Sequence, residues 1–125
     1  MAFPQAHPQR RAPRAQLGDL IAASVQRENG QWTKGKLRTV STTGGLLQLS
    51  NALVQGDFVE VAFQTRAGKV QGLAEMLSPV QQPQDGVLQA FRYVALGDDD
   101  HLVLRMTIDS AAERNSLKFN SISRA

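Results

Sequence analysis

The sequence predicts a mainly β fold, a six-stranded antiparallel β-barrel with a C-terminal α-helix. Three observations predict it. Six extended segments alternate apolar and polar residues, turn residues separate them at hairpin spacing, and no helical periodicity lies between them. Closing such a sheet into a barrel, fully or nearly, removes the unpaired edges that an open sheet would expose.

The first three strands follow from two turn signals. The segments LGDLIAASVQREN and QWTKGKLRTV flank Asn29-Gly30, a dipeptide that tolerates the positive φ angles of a type I′ turn, so we expect a hairpin there. The stretch GGLLQLS is a short third strand with Leu47 and Leu49 on one face. These segments predict a three-stranded meander at the start of the barrel.

The last three strands occupy the second half of the chain. In DFVEVAFQT the uniformly apolar set Val59, Val61 and Phe63 is expected to face the core. Ala67-Gly68 turns the chain into KVQGLAEMLSPV, and residues 79–86 are expected to form a polar loop. GVLQAFRYVAL is the sixth strand, and either of its two faces could point inward.

The C-terminal part of the chain is expected to be helical. HLVLRMTI alternates as a strand would, but Asp98, Asp99 and Asp100 precede it and place negative charge where a helix N-terminus favours it. The expected helix begins near Asp98 and ends by about Glu113. The resulting organisation is a flexible segment over residues 1–16, a barrel with its helix over 17–113, and a loosely ordered tail over 114–125.

Composition and charge exclude several classes of protein. The chain has 125 residues and no cysteine, which fits one domain without disulfides or thiolate metal ligands. No apolar run is long enough to span a bilayer and no secretory signal is present, so we expect a cytoplasmic protein without membrane insertion. Three arginines (Arg10, Arg11 and Arg14) precede the first acid and account for the whole net charge of +3. Such a short cluster suits a small anion better than a nucleic acid polymer.

A second candidate region is RTVSTTGG, residues 38–45, between the second and third strands. Hydroxyl side chains and two glycines are suited to holding a polar or anionic group, although strand-to-strand loops are often rich in Thr and Gly for turn formation alone. Lys34, Lys36 and Arg38 alternate just before it. They form either a solvated sheet face or a positive surface that guides an anion.

Together, Arg10-x-x-x-Arg14 and Thr39-x-Ser41-x-x-Gly44 resemble the two motifs of the PilZ domain, a bacterial family of receptors for cyclic di-GMP. The family pattern is RxxxR followed by [D/N]xSxxG on a six-stranded, split-barrel type of antiparallel barrel with a C-terminal helix. The order and internal spacing of both motifs match, and the resemblance covers residues 9–113. It implies a second-messenger receptor of the cytoplasm, with cyclic di-GMP as its ligand.

The resemblance implies a role for each matching residue. Arg10 and Arg14 would wrap over the dinucleotide, pairing with its phosphates and stacking on guanine, which suits the planar guanidinium fork. Arg11 would assist electrostatically, and Ser41 and Gly44 would contact the ligand from the barrel. Thr39 departs from the family's Asp or Asn and offers one hydroxyl instead of a carbonyl-type oxygen. Losing one such hydrogen bond is expected to weaken binding by about tenfold.

These residues favour a receptor without catalytic residues, metal or cofactor, which orders its N-terminal segment over cyclic di-GMP and signals to a protein partner. The alternative is a degenerate domain that does not bind the nucleotide and acts as a protein-interaction adaptor. His7 and His101 are the only histidines, too few for a metal cluster without cysteine. Trp32, the only tryptophan, is expected to pack against the hairpin rather than stack on a base.

Overall fold

The computed structural model describes residues 15–82 and 86–124, with side chains over 20–82 and 86–111. The described chain forms a closed barrel of six antiparallel strands followed by one helix. This confirms the predicted fold class. The elements in chain order are β1 (Ala15–Arg27), β2 (Trp32–Val40), β3 (Gly44–Leu49), β4 (Phe58–Thr65), β5 (Gly68–Gln81), β6 (Val87–Leu96) and α1 (Asp98–Arg124).

The strand order around the barrel is β1-β2-β3-β6-β5-β4, closed by pairing of β1 with β4. Four of the six strand pairs are therefore hairpins of consecutive strands. The other two, β3–β6 and β1–β4, join strands that are distant in the chain. β1 begins at Ala15, two residues earlier than the predicted start of the barrel.

The hairpin between β1 and β2 is confirmed, but the predicted turn type is wrong. The Gly30 N–H donates to the Arg27 carbonyl at 2.9 Å, so Glu28 and Asn29 are the central residues of the turn. Gly30 follows with a φ of 87°, and the Arg27 N–H donates to the Gln31 carbonyl at 2.9 Å. This is a three-residue hairpin loop whose glycine has a left-handed conformation. Like a type I′ turn, such a loop is compatible with the right-handed twist of the strands.

The core forms as the alternation predicts. Val59, Val61 and Phe63 of β4 are buried, as are Leu47 and Leu49 of β3. In β6 the inward set is the one beginning at Val87. It includes Gln89, Phe91 and the half-buried Tyr93. Gln89 is fully buried and satisfied, because its amide bonds the backbone N–H and carbonyl of Leu53 and the carbonyl of Leu77, each at 2.8 Å.

Residues 79–81 belong to β5 rather than to the predicted polar loop. Pro79, Val80 and Gln81 pair with Gln89, Leu88 and Val87, after a register shift that follows Met76. Proline is tolerated in a strand next to such an irregularity because its missing N–H falls where the ladder is already interrupted.

The predicted helix begins at Asp98 but extends to Arg124, well beyond the expected end near Glu113. No glycine or proline occurs after Gly97, so the sequence contains no strong stop signal. Leu104, Ile108 and Ala111 are buried and share one helical face, and the helix contacts β5 and β1. An Asp100 carboxylate oxygen accepts the Gln71 N–H at 2.9 Å, which ties the first turn to the barrel.

Candidate ligand-binding site

The start of β1 lies beside the loop that carries the second motif. Ala15 pairs with Val40, and Gln16 pairs with Thr39. Val40 immediately precedes Ser41 in the sequence. The N-terminal segment therefore joins the barrel at the loop between β2 and β3, within one residue of the motif.

Ser41 closes this loop through its own hydroxyl. The Thr43 N–H donates to Ser41 Oγ at 3.2 Å, and Ser41 Oγ donates to the Gly44 carbonyl at 3.3 Å. The Ser41 N–H reaches the same carbonyl at 2.8 Å. We call this arrangement, Ser41 with Thr43 and Gly44, the Ser41 clip. The Ser41 side chain is buried in it.

Gly44 and Gly45 are required by the packing of β3. A Cβ atom on Gly44 would lie 2.0 Å from the carbonyl oxygen of Phe91 on β6. A Cβ atom on Gly45 would lie 2.8 Å from the Thr39 carbonyl and 2.9 Å from the Phe91 ring. Neither position can carry a larger residue without displacing backbone, so the glycines bring three strands together at the loop.

Thr39 has a hydroxyl without a partner among the described residues. Its Oγ1 is buried and makes no hydrogen bond within the part of the chain that the structure describes. An unpaired buried hydroxyl costs about 1–3 kcal/mol. It occurs at the first position of the second motif, and such atoms are rare enough in native structures to require a specific explanation.

The charges around the loop are mostly cationic. Lys34, Lys36 and Arg38 are exposed on β2, and a guanidinium nitrogen of Arg38 donates to the Gln48 side-chain oxygen at 3.2 Å. Arg92 of β6 pairs with Gly44 across the β3–β6 ladder, and its guanidinium forms an ion pair with Glu75. Arg38 on β2 and Arg92 on β6 are therefore the described cations that adjoin the loop, and Arg92 is already paired with Glu75.

Comparison with known proteins identifies similar solved structures but no similar sequence. No family model and no curated protein matches the sequence. Among solved structures, the PilZ domain of YcgR from Escherichia coli with c-di-GMP has a TM-score of 0.69 at 16% identity, covering 90% of this chain and 98% of that one. YcgR from E. coli in complex with c-di-GMP has a TM-score of 0.78 at 16% identity, covering 91% and 50%. The PilZ domain of CeSA from a cellulose-synthesizing bacterium has a TM-score of 0.58 at 12% identity, covering 79% and 97%.

The fold is that of a PilZ domain. The chain spans nearly the whole of the YcgR PilZ domain and about half of the longer YcgR chain. At these identities the likeness concerns the backbone architecture, so the ligand and the residues that bind it must be argued from this chain.

The predicted site residues fall into two groups. Thr39, Ser41 and Gly44 lie together at the β2–β3 loop of the PilZ-like barrel. Arg10, Arg11 and Arg14 lie outside the described residues, so their roles stay predictions. The expectation for Trp32 is wrong, because its side chain is 59% exposed instead of packed against the hairpin.

Two residues near the loop were not singled out from the sequence. Arg92 adjoins Gly44 only because β3 pairs with β6, which no local pattern in the sequence indicates. The N–H of Tyr93 donates to the Thr43 carbonyl at 2.8 Å, but the hydroxyl of Tyr93 is buried and has no partner among the residues that the structure describes. Burial, with a smaller effect of the Asp100 carboxylate, raises the pKa of Tyr93 well above its usual value.

Within residues 15–82 and 86–124, no three His, Asp or Glu side chains come together as a metal site would require. Over the same part of the chain, no helix is long and apolar enough to cross a membrane.

Proposed function

We propose that this PilZ-like domain is a receptor for cyclic di-GMP that closes its N-terminal arginine segment over the nucleotide. The observation that carries the proposal is the pairing of Ala15 with Val40, which joins the segment bearing Arg10 and Arg14 to the barrel beside Ser41. The ligand would lie between that segment and the loop. Solved PilZ structures described as c-di-GMP complexes support the choice of ligand.

The chemistry of the two sides is complementary to a cyclic dinucleotide. Arginine donates two parallel hydrogen bonds to a phosphate and can stack its face on a base, so two arginines four positions apart suit a ligand with two phosphates. The unpartnered hydroxyl of Thr39 is a candidate donor to the ligand once the loop rearranges. Arg38 is exposed next to Thr39, and its positive charge would attract the phosphates of the ligand.

Ligand binding would also produce the signal. A segment rich in Pro and Arg buries little apolar surface, so phosphate neutralisation rather than core packing must repay the cost of ordering it. The ordered segment would then present a new surface to a protein partner. The domain would act by changing shape, without catalysis and without a cofactor.

The test is a calorimetric titration of cyclic di-GMP against the wild type, Arg14→Ala, Ser41→Ala and Thr65→Ala. Removing one charge-assisted Arg–phosphate contact is expected to weaken binding roughly 10- to 100-fold, and removing the Ser41 hydroxyl up to about tenfold. Thr65→Ala is the matched control, because Thr65 Oγ1 also bonds its own loop, to the Ala67 N–H at 3.1 Å and the Gly68 carbonyl at 2.8 Å. Both hydroxyl deletions are expected to cost about 1–2 kcal/mol of folding stability, but only Ser41→Ala should change affinity.

Equal affinities in all four proteins would contradict the proposed site. An equal loss in Ser41→Ala and Thr65→Ala would show that the effect on binding comes from general destabilisation.

A second candidate function, an adaptor that has lost the nucleotide, is favoured by one observation. The Ser41 hydroxyl is already engaged within its clip, and Thr39 offers no carbonyl-type oxygen. If wild-type protein gives neither heat nor a shift in Tm at saturating cyclic di-GMP, the adaptor is the correct interpretation.

A further inference from the structure

The outer face of β2 carries a row of four exposed side chains. Trp32, Lys34, Lys36 and Arg38 are exposed, and they alternate with residues that are partly or fully buried. We call this row the β2 stripe. Alternate residues of a strand lie about 6.6 Å apart, so the stripe extends over about 20 Å. Its upper end adjoins Thr39, and its lower end is marked by the only tryptophan of the chain.

The positive charge of the stripe is not balanced by described neighbours. The two ion pairs among the described side chains are Arg27–Asp57 and Arg92–Glu75, and neither involves the stripe. In the register of the barrel, Gln26, Ser24 and Ala22 of β1 lie opposite Trp32, Lys34 and Lys36. On the other side, Gln48 of β3 lies opposite Lys36. The described residues opposite Trp32, Lys34 and Lys36 are thus uncharged, which leaves a local positive potential along this part of the stripe.

A groove runs beside the stripe. It has a volume of ≈ 390 Å³ and is lined by Lys34, Lys36, Gln48, Ser50 and Gly86 among others. Its polar groups are two ammonium groups, an amide and a hydroxyl. The first two suit phosphates, and the last two can bond the edges of bases or a sugar.

We propose that the β2 stripe and its groove bind single-stranded nucleic acid, RNA or DNA, without sequence preference. The stripe has evenly spaced cations, two of which line the groove, and an exposed aromatic ring at one end. This combination suits single strands, because the charge follows the backbone and the ring stacks on a base. Trp32 is 59% exposed and supplies that ring. The proposal departs from the expectation, based on the short arginine cluster, that this chain binds no nucleic acid polymer.

Two other anionic partners fit less well. A membrane surface would require apolar side chains beside the cations, whereas three of the four described neighbours, Ser24, Gln26 and Gln48, are polar and the fourth is the small Ala22. An acidic peptide would use the cations but gain nothing from the stacking surface of Trp32. The proposed site shares only Arg38 with the proposed cyclic di-GMP site, and the variants that test it change Trp32, Lys34 and Lys36 instead.

The probes are fluorescein-labelled ten-nucleotide oligo(dT) and oligo(U), bound to the full chain and followed by anisotropy and by quenching of Trp32 fluorescence. Non-specific dissociation constants of about 10⁻⁴–10⁻⁶ M are expected at physiological salt. With three cations engaged, log K should fall with log salt at a slope of about −2, a loss of roughly 20-fold between 50 and 200 mM salt. Base stacking should quench Trp32.

The key variant is Lys34→Gln/Lys36→Gln, which is expected to weaken binding at least about tenfold at 50 mM salt and to reduce the slope to about −0.7. The matched control is Arg66→Gln/Lys69→Gln, which removes two exposed cations from the β4–β5 hairpin and should leave both values unchanged. Trp32→Ala should weaken binding roughly 5- to 100-fold while preserving the slope.

The proposal is overturned if neither oligonucleotide binds at 50 mM salt or if both charge variants lose affinity equally. Binding of labelled poly-glutamate as tightly as oligo(dT) would overturn it in favour of an acidic protein partner. Sedimentation with phosphatidylserine vesicles that exceeds oligonucleotide binding would overturn it in favour of a membrane surface.

Discussion

Two hairpin turns of the barrel are built from the same arrangement of residues, but only one of them matches the ligand motif. Between β2 and β3, Ser41 Oγ accepts the Thr43 N–H at 3.2 Å and donates to the Gly44 carbonyl at 3.3 Å. Between β4 and β5, Thr65 Oγ1 accepts the Ala67 N–H at 3.1 Å and donates to the Gly68 carbonyl at 2.8 Å. The pattern of a hydroxyl followed three residues later by glycine is therefore a way of making a turn in this fold.

What distinguishes the two turns is their surroundings. The added Cβ on Gly44 would meet backbone of β6 at 2.0 Å, whereas one on Gly68 would meet only the Val103 side chain, at 3.5 Å. The β2–β3 turn is enclosed by β6 and by the start of β1, and Thr43 accepts a hydrogen bond from Tyr93. The β4–β5 turn carries its exposed residues Arg66 and Ala67 into solvent.

The residue two positions before the hydroxyl sharpens the contrast. In the β4–β5 hairpin it is Phe63, which packs in the core. In the β2–β3 hairpin it is Thr39, which buries a hydroxyl without a partner among the described residues. A turn needs no such hydroxyl, so Thr39 distinguishes this hairpin from the β4–β5 hairpin more than the glycine does.

The largest expected difference between the turns concerns their glycines. Gly44→Ala forces a Cβ against the Phe91 carbonyl and should lower the free energy of unfolding by about 3 kcal/mol or more. Gly68→Ala meets no close atom but must hold a φ of 140°, which costs about 1–3 kcal/mol. Urea denaturation of both variants measures the difference. If Gly44→Ala were as stable as Gly68→Ala, β3 and β6 would not be in the close contact described.

Much of this architecture could be predicted from the sequence, because the relevant signals are local. The inward faces of β3 and β4 follow from alternation alone, and Asp98 to Asp100 predicted the start of the helix. The turn at Gly30 was recognised as a turn, but its type was wrong because the same glycine serves a two-residue and a three-residue loop equally well. Residues 79–81 were assigned to the polar loop predicted over residues 79–86, but they pair with β6.

The site was only partly predictable for a physical reason. The two halves of the proposed site are each visible as short motifs, but Arg92 and Tyr93 adjoin its loop only through the β3–β6 pairing, which depends on how the barrel closes. The exposure of Trp32 was likewise set by its place at the outer end of β2 and not by its apolar character. The alternation of apolar and polar residues does not determine which distant strands pair, nor whether a side chain at the end of a strand is buried or exposed.

The second prediction tests Thr39 directly. Thr39→Val keeps the β-branched shape but removes the unpaired hydroxyl, so it should raise the free energy of unfolding by about 1 kcal/mol. The same variant should weaken cyclic di-GMP binding if the hydroxyl meets the ligand. Thr33→Val, on the same strand, is the control and should change stability by less than about 0.5 kcal/mol. A loss of stability in Thr39→Val would mean that its hydroxyl is hydrogen-bonded in solution, and Thr39 would then be an ordinary strand residue.

The smallest effect concerns Tyr93, which ties β6 to the motif loop. Its ring packs edge-on against that of Phe91, with the ring centroids 5.3 Å apart, and its hydroxyl is buried without a partner in the described part of the chain. Tyr93→Phe should therefore be neutral or stabilising by up to about 1 kcal/mol at pH 7. Because burial raises the pKa of Tyr93 in the folded protein above the usual value near 10, folding stability is fully present below about pH 10 and falls as the pH rises beyond it.

Tyr93→Phe removes that fall, so the stability difference between variant and wild type should widen above about pH 10. Tyr93 is the only tyrosine, so the absorbance of tyrosinate in the native protein reports its titration without interference. A native titration near the ordinary tyrosine pKa would show that the hydroxyl reaches water. In that case the loop would be open to solvent where the β2–β3 turn meets β6. The β2–β3 turn would then be as exposed as the β4–β5 turn, and the difference between the two turns would be lost.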